Sequence, residues 1–80
     1  MKIALVYWID ACHRGVLMDV EEAKKELPMK CADVGFLIKN DKDSIILAST
    51  MDEDNQVNHI NIIPKKYVKK LRLLHEVQRK

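Results

Sequence analysis

The sequence predicts a mainly β fold, a small antiparallel barrel or sandwich of about five strands in one domain over residues 1–80. Three observations predict it. Runs rich in β-branched and aromatic residues recur at "KIALVYWIDA", "CADVGFLIKN", "SIILAST", "VNHINII" and "VKKLRLL". Short polar stretches separate most of them. Eighty residues leave room for a single core, because a chain this short buries only about 60% of the surface its unfolded form exposes.

The first run has neither Gly nor Pro and reads as a strand of roughly seven residues. Both of its alternating faces are apolar, Ile3, Leu5, Tyr7 and Ile9 on one and Ala4, Val6 and Trp8 on the other. Such a strand is either central or covered by a partner. Gly15 breaks the pattern. Asp19 is then placed to cap a short helix near residues 19–26, with Glu22 at its third position, Val20, Ala23 and Leu27 on one face, and Pro28 as its stop. Residues 34–50 read as a hairpin around the four-residue loop "NDKD". The acidic loop "MDEDNQ" precedes "VNHINII", which alternates only in part.

The closing stretch admits two readings. As a helix, it would carry Pro64 in its first turn and set Val68, Leu71 and Leu74 on a loose line. As the end of a barrel, Ile63 is extended before proline, residues 64–67 make a single-turn helix, and "VKKLRLL" returns as a strand. The barrel reading is the more economical. It makes Lys65, Lys66, Lys69 and Lys70 solvated edge charges, and residues 75–80 a frayed tail.

The net charge of +2 hides an asymmetry. From Pro64 onward there are seven Lys/Arg and one acid, giving +6; the preceding part has seven basic and eleven acidic side chains, giving −4. The basic segment, Lys65, Lys66, Lys69, Lys70 and Arg72, is the candidate polyanion-binding site, with Tyr67 and His75 available to stack on bases. The chain has four aromatic residues in all, however, and Trp8 and Phe36 read as core residues. The longest apolar run is too short to span a bilayer and lacks an export cleavage site, which places the chain in the cytoplasm with Cys12 and Cys31 reduced.

The remaining candidates for chemistry each meet an ordinary alternative. Cys12 and His13 are adjacent, so in an extended chain they point to opposite faces and make a poor nucleophile–base pair. Cys12, Cys31, His13, His59 and His75 lack the close spacing of a structural zinc site. The loop Asp52, Glu53, Asp54 and Asn55 lacks the glycine and distal glutamate of a calcium loop. Asp10, near Trp8, is better placed to accept backbone N–H groups than to do acid–base work. No phosphate loop or nucleophile elbow is present. The expectation is therefore no enzyme, no cofactor and no metal.

The segments "YWIDA", "VGFLI", "ILAST" and "NIIPKKYVKKLRLL" occur in an order that resembles a group of small proteins encoded by phages and other mobile elements. The resemblance covers most of residues 6–74 and implies an SH3-like, or Sm-like, β-barrel with the Ile-Pro segment as the single-turn helix before the last strand. It transfers no catalytic residues. Surplus apolar positions, on both faces of the first strand, from Ile45 to Ala48, and at Met18, Met29 and Met51, point to a non-enzymatic module that binds another protein or itself. The alternative is a nucleic-acid-binding barrel using the basic segment; no membrane partner is expected.

Overall fold

Five antiparallel strands form one sheet in the computed structural model, which describes residues 1–10, 15 and 17–76. They are β1 (Lys2–Asp10), β2 (Met29–Asn40), β3 (Ser44–Met51), β4 (Val57–Pro64) and β5 (Val68–Glu76). A one-turn helix, α1 (Val20–Ala23), lies between β1 and β2, and a 3-10 turn (Lys65–Tyr67) joins β4 to β5. The spatial order is β4-β3-β2-β1-β5, so the first four strands meander and the last returns to the far side of β1. The fold is mainly β, as the residue pattern predicts.

β1 lies between β2 and β5, so both of its edges are paired; one apolar face lines the core and the other belongs to the outer surface of the sheet. Its even positions point inward: Ala4 opposite Gly35, Val6 opposite Asp33 and Trp8 opposite Cys31. The buried cluster unites Ala4 and Val6 with Ile45 and Leu47 of β3 and Ile63 of β4, while Trp8, Leu37, Val68 and Leu71 pack against it. Among the described residues no second sheet covers this cluster, and α1 buries none of its own residues. A single sheet encloses such a cluster only by curling over it.

Asp33 shows the curl directly. It accepts hydrogen bonds from Trp8 Nε1 at 2.6 Å and from Asn61 Nδ2 at 2.9 Å. Asp33 lies on β2 and Asn61 on β4, with β3 between them. In a flat sheet, two strand spacings and a four-residue offset would hold them about 16 Å apart. The bond therefore crosses the concave side and ties β2 to β4, and it supplies acceptors for two polar groups that face the core.

Gly35, opposite Ala4 on β1, stands where β3 comes close. A Cβ added to Gly35 would lie 2.7 Å from the Ala48 carbonyl oxygen. Glycine thus admits the backbone of β3. Three irregularities of register help the sheet coil: one where β2 meets β3 and two where β1 meets β5. His59, in the middle of edge strand β4, has φ of 53°, a left-handed conformation uncommon for a side chain of this size, and its N–H donates to Asn58 Oδ1 at 2.8 Å.

Several boundaries differ from the sequence reading. β1 has nine residues and β2 begins at Met29, because their pairing continues to Asp10 opposite Met29. α1 has one turn although Asp19 caps it as expected, accepting from Glu22 N–H at 2.8 Å; with no face buried, nothing extends it. β5 runs to Glu76 opposite Lys2, so residues 75 and 76 are strand, and the rest of the expected tail, 77–80, lies outside the described residues. Phe36 is half-buried on the outer face between Ile3 and Ala48, not in the core, since it alternates with the inward Gly35 and Leu37.

The β2–β3 turn spans residues 41–43 and is organised by Asp41, whose Oδ1 accepts from the N–H groups of Asp43 at 2.9 Å and Ser44 at 3.0 Å. These bonds, with help from Lys39 Nζ at 3.1 Å from Oδ2, hold the carboxyl down at about 2. A carboxyl pulled below its ordinary value stabilises the fold above that value and loses the effect as pH falls through the lowered one. The melting temperature of the wild type is thus expected to exceed that of Asp41→Asn at neutral pH. Thermal melts at falling pH should show the gap closing between about pH 4 and pH 2. A gap independent of pH would exclude this role for the charge.

Candidate functional site

Strand alternation decides what becomes of the basic segment. Lys65 is half-buried in the 3-10 turn; its N–H donates to Asp43 O at 2.9 Å and its Nζ to Asn40 Oδ1, so it fastens this turn to the β2–β3 turn. Lys66 Nζ stands 5.3 Å from the centre of the Tyr67 ring, a cation–π contact. Lys69 is the extra residue where the register shifts between Tyr7 and Trp8. Lys70, opposite Tyr7, and Arg72, opposite Leu5, stand on the outer face. The five cations are therefore distributed over a turn, a bulge and one face of the sheet. Tyr67 is half-buried and engaged by Lys66, while exposed His75 pairs with Ile3 on the outer face.

The other candidates are dispersed as well. Cys12 and His13 lie outside the described residues. Cys31 is a thiol on β2, and His59 and His75 sit on β4 and β5 at opposite edges of the sheet. Asp52 is occupied in its own loop, accepting from the N–H groups of Asp54 and Gln56, both at 2.9 Å. Asn55 completes that loop at φ 62°, a conformation asparagine tolerates. Asp10 is the last β1 residue paired with β2. Among the described residues, no helix is long and apolar enough to cross a membrane.

A cleft of about 250 Å³ opens at the end of the β1–β2 ladder, lined by Tyr7, Trp8, Ile9, Lys30, Cys31 and Lys69. Its walls are mostly apolar, and two lysines flank them. Trp8 is held in place from behind by Asp33. The bulge at Lys69 turns that side chain toward the cleft, where strict alternation would have left it elsewhere.

No protein family, curated protein or solved structure matches this chain. The candidate site therefore rests on this chain's own geometry.

The outer face of the sheet is the larger feature. One row across it, in register, is Ile60, Ala48, Phe36 and Ile3; beside it lie Ile62 with Ile46, and Val34 with Leu5. Val34, Ile60 and Ile62 are 59%, 52% and 58% exposed. Ala48 is nevertheless buried, because its larger neighbours Phe36 and Ile60 flank it. The sequence signals this face through the second apolar side of β1 and the run from Ile45. Asp33 is the residue that the sequence reading misses. Its signal is an acid at an inward position of an otherwise apolar strand, recognisable only once the strand is in register with Val6.

Proposed function

We propose that this protein is a non-enzymatic binding module whose outer sheet face, centred on Val34, Phe36 and Ile60, docks on another protein surface. The observation that carries the reading is the row of large apolar side chains left open to solvent on that face. Contiguous exposed apolar patches on a monomer are often functional, and here Val34, Ile60 and Ile62 each leave more than half of their surface open on one face. Lys70 and Arg72 border it on β5 and would steer an acidic partner toward it. The strand order, with a 3-10 turn before the last strand, supports the SH3-like barrel reading that belongs to the same proposal.

A photo-crosslinking residue placed at Val34 or Ile60 tests the proposal in cells that make the protein. A discrete adduct is expected from both positions, either of twice the chain's mass or with one other protein, and Ile62→Lys, an exposed substitution on the same face, should abolish it. A smear of adducts that the lysine leaves unchanged would overturn the reading.

A further inference from the structure

The outer face of the sheet carries charge of one sign. Its outward positions hold Lys70, Arg72 and exposed His75 on β5, Lys30 near the start of β2 and Lys39 near its end. None of the chain's twelve acidic side chains stands at an outward strand position. They lie between β1 and β2, in the turns after β2 and β3, at inward Asp33, and at the strand ends Asp10 and Glu76, which face Met29 and Lys2 on the inward side of the ladder. Lys39 is matched by Asp41 at 3.1 Å, whereas Lys30, Lys70 and Arg72 form no ion pair among the described residues. The charge is also one-sided across the sheet. The outward positions of β3 and β4 hold only uncharged residues, Ile46, Ile60 and Ile62 among them.

We propose that the occupant of this face is an amphipathic helix of a partner protein with acidic residues along one flank. Its apolar stripe lies on Leu5, Val34 and Phe36, and its acidic flank meets Lys70 and Arg72. The inference rests on the reading of the outer face as a docking surface and adds what docks there. Charge complementarity selects the acid, because a face with unpaired cations and no carboxylate attracts an anionic group and repels a cationic one. The backbone selects the helix. An extended segment laid over apolar side chains would leave its N–H and C=O groups without partners, while a helix pairs its own. The dimensions agree. From the row of Ile3 and Phe36 to that of Ile9 and Lys30 is six steps along β1, from 3 to 9, or about 20 Å, which a helix spans in roughly 13 residues. Single-stranded nucleic acid fits less well, since Ile46, Ile60 and Ile62 give bases no ring to stack on.

A display library of random linear peptides, each long enough for about four helical turns, panned on the full chain tests the proposal. The enriched peptides are expected to repeat apolar residues at helical spacing, to carry net negative charge and to gain helicity on binding. Their affinity should fall about tenfold in the double variant Lys70→Glu, Arg72→Glu, and fall also in Val34→Lys. All three positions are exposed, so melting curves should match the wild type. A selection with no enrichment, enriched peptides that are neutral or basic, or binding that the double variant or Val34→Lys leaves unchanged would each overturn the acidic helix. So would salt-sensitive binding of a labelled single-stranded oligonucleotide that is lost in the double variant, which would give the face to nucleic acid. Crosslinks from Val34 and Ile60 that persist beside any of these results would leave the docking reading standing while this inference alone falls.

Discussion

Truncating Ile63 to alanine is expected to cost about 2–5 kcal/mol, while the same truncation one residue earlier, at Ile62, should stay within about 0.5 kcal/mol of neutral. The two isoleucines are neighbours in β4 but point to opposite faces. Ile63 is completely buried, pairs with Ile45 and closes the cluster formed with Ala4, Val6 and Leu47. Ile62 is more than half exposed on the outer face. Removing three carbons from Ile63 forfeits their transfer from water and leaves a cavity. A core of so few fully buried side chains has little capacity to refill it. A domain of this length has about 4–12 kcal/mol of stability in total, so Ile63→Ala should leave a measurable unfolded population in buffer. Urea denaturation of both variants checks the contrast. Equal shifts in midpoint at 62 and 63 would contradict the assignment of faces.

Gly35→Ala is expected to destabilise by about 1–3 kcal/mol or more, although a glycine within a strand is ordinarily improved by alanine. The ordinary gain comes from restricting the unfolded chain and amounts to roughly 0.4–1 kcal/mol where the native backbone accepts a side chain. Gly35 has no positive φ that would itself forbid alanine. What forbids it is the neighbouring strand. The new methyl would lie 2.7 Å from the Ala48 carbonyl oxygen, 3.3 Å from its carbon and 3.4 Å from Leu47 Cβ. The nearest of these atoms is backbone within a hydrogen-bonded ladder, so it cannot rotate away as a side-chain tip would. Relief requires β3 to back off from β2 and the sheet to open, which weakens the core and the Asp33–Asn61 tie together. The melting temperature should fall by about 4–8 °C for each kcal/mol lost. A variant that melts at or above the wild type would show that the close approach is not tight.

The residues along each run were enough to locate all five strands, the cap at Asp19 and the single turn after Pro64, because these are local preferences. β-branched density, a capping carboxylate and the fixed φ of proline act within a few residues. The extent of β2 was less legible. Lys30 and Asp33 interrupt its apolar pattern, and only pairing with β1 carries the strand back to Met29. The basic segment shows the same division more sharply. Its charge is plain in the sequence, yet the bulge at Lys69, the tether of Lys65 to Asn40 and the outward register of Lys70 and Arg72 depend on strands far away in the chain.

By itself, then, the sequence determined that this protein would be a small, mainly β domain; it left the first strand either central or covered, and favoured a single turn at residues 64–67 over a longer helix. Local conformational energies add up over short windows and do not need to know where the partner strand lies. The tertiary structure alone decided which isoleucine faces in, why Gly35 is a glycine, and that Asp33 bonds across the concave side to a strand that is not its neighbour. Those outcomes follow from curl and register. A shift of one residue exchanges the two faces of a strand, and curling brings together groups that a flat sheet would hold far apart.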